Sequence, residues 1–164
     1  MYGGKLARAL GAHVVAFTTS EGKREDALKL GAQKVVVSRN PEEMKAQTGK
    51  LDFILNTVAV PHRLDAYLAL LGHGGTMALV GIPEKPHPSP SVASLIGLRR
   101  SLAGSLVGGI KETQEMLDFC AEHGVVAETE TIPIQEIETA FARMVKNDIK
   151  YRFVVDMKSL QQNV

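Results

Sequence analysis

The chain has 164 residues, 45% of them apolar and 23% charged, with a formal net charge of +1 at neutral pH, which suits one globular domain able to bury roughly two thirds of its unfolded surface. Acids and bases are interspersed, so there is no electrostatic footprint for nucleic acid or an anionic membrane, and neither is expected as a partner. No apolar run approaches the roughly 20 residues of a spanning helix, Met1 to Leu10 carries early charges in place of a signal-peptide apolar stretch, and the single cysteine, Cys120, offers neither a disulfide framework nor a cysteine-rich zinc site; a soluble, cytoplasmic protein is expected.

Apolar runs of strand length alternate with helical patterns along most of the chain. "HVVAFT" at 13–18 predicts a strand, followed by a helix over about 22–30 that stops at Gly31. "KVVV" at 34–37 predicts the second strand. The next helix, 41–48, has a strong start: Asn40 as cap, Pro41 in the first turn, and Glu42 and Glu43 on the favourable end of the helix dipole. "LDFILNTV" at 51–58 is the third strand, then a helix over 62–71, a strand "GTMALVG" at 75–81, a rigid proline-rich loop "EKPHPSP" at 84–90, a helix over 90–98 and a strand "SLAGSLVG" at 101–108. Alternation of this kind predicts an α/β fold with a doubly wound parallel sheet, and strands apolar on both faces fit helices covering both sides. From 111 the pattern changes to a long helix, "KETQEMLDFCAEHG", a short strand "AETETIP", a helix over 134–146 and a last strand, "YRFVVDM".

The turn after the first strand gathers chemistry. Thr18, Thr19 and Ser20 supply hydroxyls and Lys23 and Arg24 supply cations at the carboxyl end of a strand, the place where open α/β sheets bind ligands. Hydroxyls with cations suit a phosphate. The plainer alternative is a helix-capping cluster beside a solvated Lys-Arg pair.

The segments "HVVAFTTSEGKREDALKLGA", "LDFILNTV", "ETQEMLDFCAEHG" and "IKYRFVVDM" closely resemble the coenzyme half of NADP-dependent zinc alcohol dehydrogenases, in the branch of the cinnamyl alcohol dehydrogenases and broad aldehyde reductases. The resemblance runs from about Lys5 to the end of the chain. It implies a Rossmann-type sheet, truncated, with 1–164 as one partial nucleotide-binding domain whose tail, about 125–164, would pack back toward an absent catalytic domain. Lys5 to Ala12 match the body of the helix that follows the family's glycine-rich loop, so Gly3 and Gly4 fall on helix positions. As a phosphate loop they would also lack the G-x-G-x-x-G spacing and a preceding strand.

By that resemblance Thr18, Thr19, Ser20 and Lys23 would contact the 2′-phosphate of NADP. No acid stands where NAD enzymes bind the ribose hydroxyls, so NADP is favoured over NAD. Thr57, Gly81 and the run Ser105, Leu106, Val107 would line the ribose and nicotinamide side, Gly81 by close backbone approach and the last run through main-chain groups. Each could equally be ordinary strand-end chemistry. Cys120 and His123 share a helix face but are too few for zinc, and His62, His73 and His87 show no ligand spacing. The family's zinc is implied only for the full-length enzyme. The expected function is therefore the NADP(H)-binding portion of a zinc-dependent alcohol dehydrogenase or aldehyde reductase, an oxidoreductase in which this chain alone carries no catalytic or metal residues, binds the nicotinamide dinucleotide weakly and is inert. The alternative is a non-catalytic nucleotide-binding or protein-interaction module, or a fragment without independent function. The resemblance also implies that the family's first strand, with its glycine-rich loop, is lacking here; in the order 3-2-1-4-5-6 that strand would be central, so strands 13–18 and 51–58 should either pair directly or recruit a second copy, making a homo-oligomer possible.

Overall fold

Parallel strands cannot be joined by a tight turn, and in the computed structural model every strand pair is linked by a crossover that carries a helix. The structure describes residues 2–146, 148–149 and 151–163; Lys150 of the "IKYRFVVDM" segment lies outside them. Gly3 to Leu117 form one compact unit and a second begins at Asp118.

The chain begins with α1 (Tyr2–Ala9), so Gly3 and Gly4 are helical. β1 (Val15–Thr18), a 3-10 turn (Glu21–Lys23) and α2 (Arg24–Lys29) lead to β2 (Lys34–Val37), which pairs with β1 in parallel from Val15 opposite Lys34 to Thr18 opposite Val37. α3 (Pro41–Lys45) starts as its sequence dictates. The Asn40 side chain accepts from the backbone N–H of Glu42 at 3.1 Å and of Glu43 at 3.4 Å, with Pro41 in the first turn.

β3 (Leu51–Asn56), β4 (Leu71–Leu79) and β5 (Ser101–Gly104) form a second parallel sheet in chain order, with α4 (Asp65–Leu68) and α5 (Val92–Ile96) in the crossovers. The helix expected over 62–71 shrinks to the single turn of α4, because Leu70 and Leu71 leave it to enter the core and Leu71 already starts β4 opposite Leu51. The early part of β4 is irregular: Gly74 takes a φ of +73°, open to glycine, and the register against β3 shifts between Leu51 and Phe53. Ile54, Leu64, Leu68, Leu70, Leu71 and Met77 form the buried centre. Arg100 ties its rim together, donating to the carbonyls of Leu71 at 2.7 Å and Ser94 at 3.0 Å.

The ladders stop at β1 and β3, which do not pair with each other. The direct pairing of 13–18 with 51–58, one of the two expected closures, is not made. The elements are joined by side chains instead. Phe17 of β1 and Met44 of α3 pack against the Ile54–Leu68–Met77 cluster, Phe17 meets Tyr67 edge to face at 6.0 Å, and α1 brings Gly3 so close to Leu55 that a Cβ there would lie 3.4 Å from its Cδ2.

In the second unit, β6 (Glu130–Pro133) and β7 (Phe153–Asp156) pair in parallel through α7 (Ile137–Val145). α6 (Ile110–Glu122) precedes them, and a 3-10 segment, Met157–Asn163, follows β7 where no element was expected. Arg143 is the hub: its Nη2 lies 2.9 Å from Glu130 Oε2, its Nε 3.2 Å from Asp148, and its guanidinium 4.9 Å above the Phe153 ring. Among the described residues no helix is long and apolar enough to cross a membrane.

Leu68 has no exposed surface, whereas Leu106 is 75% exposed. Leu68→Ala is therefore expected to cost about 2–5 kcal/mol of unfolding free energy and Leu106→Ala within about 0.5 kcal/mol, read from urea denaturation monitored by circular dichroism; equal effects would contradict this placement of the core.

Candidate functional site

The opening hydroxyl and basic cluster divides in the fold. Thr18 ends β1, and its carbonyl accepts from the backbone N–H of Ser38 at 2.7 Å and from its hydroxyl at 3.2 Å. The Thr18 hydroxyl lies 3.2 Å from both the N–H and the carbonyl of Ser20, a local turn. Thr19 is exposed. Ser20 stands at the N-cap of the 3-10 turn in extended backbone geometry, yet its side chain makes no capping bond.

The basic pair separates more sharply. Arg24 turns inward, donating to Glu21 at 2.9 Å, to Glu43 at 3.2 Å and to the Val35 carbonyl at 2.8 Å. Its charge is consumed by these partners, which hold its pKa above the ordinary value, Glu21 foremost. Lys23 is exposed and, among the described residues, has no ion-pair partner. Glu21, the acid nearest the hydroxyls in sequence, is engaged by Arg24, so the strand end presents hydroxyls and one open ammonium.

At the ends of β3 and β4 the backbones crowd together. A Cβ on Gly81 would lie 2.8 Å from the carbonyl oxygen of Val58 and 3.0 Å from the carbonyl carbon of Thr57. The close approach that Gly81 permits is thus to the loop carrying Thr57. That loop is held from its other side: Asn56 Oδ1 accepts from the Val58 N–H at 3.1 Å, Asn56 Nδ2 lies 2.9 Å from His62 Nε2, and His62 Nδ1 lies 2.8 Å from the Val60 carbonyl. The His62 backbone N–H donates to His87 Nδ1 at 3.3 Å, the two rings meeting edge to face at 4.7 Å. Sequence spacing gave no sign of this group, since His62 and His87 lie on separate loops after adjacent parallel strands.

Beyond β5, Ser105 donates its N–H to the Leu79 carbonyl at 3.1 Å, and Leu106 and Val107 extend into solvent at 75% and 87% exposure. The strand expected to 108 therefore ends at Gly104. The fold brings Thr57, Gly81 and Ser105 to the carboxyl ends of neighbouring strands, while Thr18, Thr19, Ser20 and Lys23 cluster at the end of β1 in the other sheet. Cys120 is buried and His123 exposed, its ring stacked on Phe119 at 4.0 Å. Among the described residues no three histidine, cysteine or acidic side chains come together as a metal ligand set.

Residues 1–122 match the family model described as zinc-binding dehydrogenase. The aldehyde reductase YahK of Escherichia coli (strain K12) is 61% identical over 156 residues, covering 95% of this chain and 45% of that protein. Among solved structures, a cinnamyl alcohol dehydrogenase of Sorghum bicolor superposes with a TM-score of 0.87 at 41% identity over 93% of this chain and 43% of that one. The Helicobacter pylori CAD complexed with NADP(H) superposes with a TM-score of 0.79 at 39% identity over 94% and 44%. The chain thus spans less than half the length of these relatives.

The Glu43 carboxyl is held below the ordinary carboxylate range, first by the Val37 N–H and then by Arg24 and Asn40, against an opposing desolvation. A lowered folded pKa contributes stability that is present above the unfolded value and lost as pH falls. The urea midpoint is expected to drop below about pH 4, and Glu43→Gln, destabilised at neutral pH, should show a shallower acid limb. An identical acid limb in both proteins would show that Glu43 contributes nothing to it.

Proposed function

The chain belongs to the zinc-binding dehydrogenase family, and we propose that its first unit is an NADP(H)-binding module of an alcohol dehydrogenase or aldehyde reductase. The observation that carries this reading is the divided basic pair: Arg24 is neutralised by Glu21 and Glu43, leaving Lys23 and the hydroxyls of Thr19 and Ser20 open at the strand end. An anion there meets one cation and hydroxyl donors, with the Glu21 carboxylate bound to Arg24, which fits a ribose 2′-phosphate. The H. pylori relative named as complexed with NADP(H) and the E. coli relative named as an aldehyde reductase support the same coenzyme and chemistry.

When bound, NADP(H) gives or takes the hydride that interconverts a primary alcohol and an aldehyde. The chain's own part is to hold it. Thr18, Thr19, Ser20 and Lys23 would grip the 2′-phosphate, Thr57 and Gly81 would set the floor beneath the ribose, and the main chain of Ser105, Leu106 and Val107 would border the nicotinamide. Zinc finds no ligand set among the described residues, so no step is assigned to it on this chain.

Lys23→Ala is expected to weaken NADP+ binding about five- to thirtyfold and NAD+ binding little, by titration calorimetry at low salt. Thr19→Asp should narrow or invert the preference by repelling the phosphate and accepting from the ribose hydroxyls of NAD+. Parallel losses for both coenzymes in the lysine variant would make this turn a mere helix start.

The 164-residue chain is further expected to reduce no aldehyde and oxidise no alcohol, with or without added zinc, because stabilising the developing alkoxide requires a bound metal or an equivalent group. Zinc-dependent turnover above a metal-free blank, followed by coenzyme absorbance, would overturn this.

A further inference from the structure

We infer that His62 is a positioning residue of the coenzyme site, acting as a neutral imidazole with its proton on Nδ1 to fix the loop that carries Thr57; its effect on coenzyme rests on the NADP(H) reading above. The tautomer follows from the two ends of the hydrogen-bond chain. At one end the Val58 N–H can only donate, so the Asn56 group facing it at 3.1 Å is the carbonyl Oδ1, and the Asn56 amide nitrogen faces His62 Nε2 at 2.9 Å. At the other end the Val60 carbonyl can only accept, and it lies 2.8 Å from His62 Nδ1. One arrangement satisfies every link: Val58 N–H to Asn56, Asn56 to His62 Nε2, His62 Nδ1–H to Val60.

Asn56 is buried at 8% exposure, and its own carbonyl accepts from the Val80 N–H at 3.0 Å, so the anchor is part of the β3–β4 junction. The same Val58 whose N–H is held by Asn56 has its carbonyl pressed toward Gly81, where a Cβ would stand 2.8 Å away. The Thr57–Val58 backbone is thereby fixed on two sides, by a glycine that leaves room and by an amide that His62 keeps aligned.

Protonating His62 makes both ring nitrogens donors, and Nε2–H then confronts the amide hydrogens of Asn56. Asn56 cannot turn its carbonyl toward the ring without abandoning the Val58 N–H. His87 responds in the same direction, since a proton on its Nδ1 removes the acceptor of the His62 backbone N–H. The groups facing His62 are His87 from the loop after β4 and Tyr67 from α4, its ring edge to face at 5.6 Å. Asp65, also on α4, is committed to the hydroxyl of Ser94 and the N–H of Ser91. Acid should therefore loosen the loop through imidazole alone.

The test uses the full chain, labelled with 15N, and NADP+ as the probe. At pH 8 the ring of His62 should show a protonated Nδ1 and an unprotonated Nε2. NADP+ affinity is then measured from about pH 8 down to about pH 5 for wild type, His62→Ala and His62→Gln. Because a phosphate monoester titrates in part of this range too, the reading is the difference between wild type and His62→Gln, whose amide oxygen can accept from Asn56 at every pH. His62→Gln should match wild type at pH 8 and stay about two- to tenfold tighter at pH 5, and His62→Ala should be weaker than both at pH 8 by a similar factor. A proton on Nε2 at pH 8 overturns the inference whatever the coenzyme does. Superimposable pH profiles of wild type and His62→Gln overturn it as well. The Nδ1–H signature with no NADP+ binding by any variant overturns instead the coenzyme reading, and with it the role of His62 toward that ligand.

Discussion

The first unit depends on a packing contact where a hydrogen-bonded ladder would ordinarily run. β1 and β3 share no backbone pairing, so the placement of the β1–β2 sheet on the β3–β4–β5 sheet rests on Phe17 and Met44 against the Ile54–Leu68–Met77 cluster. Apolar contact is non-directional and proportional to area, and it tolerates small rotations that a ladder would forbid. The two halves of the candidate site are therefore tied with different stiffness. Thr57, Gly81 and Ser105 sit on strands joined by backbone hydrogen bonds, whereas Thr18 to Lys23 are carried by a sheet attached through side chains.

Within that second group, the charge exposed at the turn is set by what Arg24 does with its own. Two cations adjacent in sequence look equivalent, yet one is planar and forked and the other is a point charge. The fork bridges Glu21, Glu43 and the Val35 carbonyl, fastening the start of α2 to β2 and the first turn of α3. This both anchors the turn and draws the nearby acid away from the hydroxyls. Lys23 is left over by the same geometry, so of the two neighbours one is committed to the fold and the other stays open to solvent.

What could be read from the sequence follows from where the information is local. The cap at Asn40 with Pro41 and the strands at 34–37 and 15–18, the latter expected from 13, each depend on a few adjacent residues and were legible, whereas the helical place of Gly3 and Gly4 came from the family resemblance. The run "YLALLG" was not. Leucines at 68, 70 and 71 fit a helix and a strand equally well, and only burial of Leu70 and Leu71 beside Met77 ends α4 early. The split of Lys23 from Arg24 required knowing that Glu43, nineteen residues from Arg24, would face it. The pairing of His62 with His87 was invisible for a similar reason, because no spacing rule links loops that follow different strands.

The loop after β3 shows how a parallel sheet turns such distant residues into one device. Strands running the same way deliver their carboxyl ends side by side, so loops that are far apart in sequence emerge as neighbours. Crowding follows, and with it a requirement for a residue without a side chain at Gly81. Crowding alone would only exclude conformations. The directional bonds from Asn56 through His62 to Val60 choose among those that remain, because each terminal backbone group has a single hydrogen-bonding role. A backbone held by steric exclusion on one face and by oriented hydrogen bonds on the other loses little further freedom when a ligand settles on it, which is the physical content of a preorganised site.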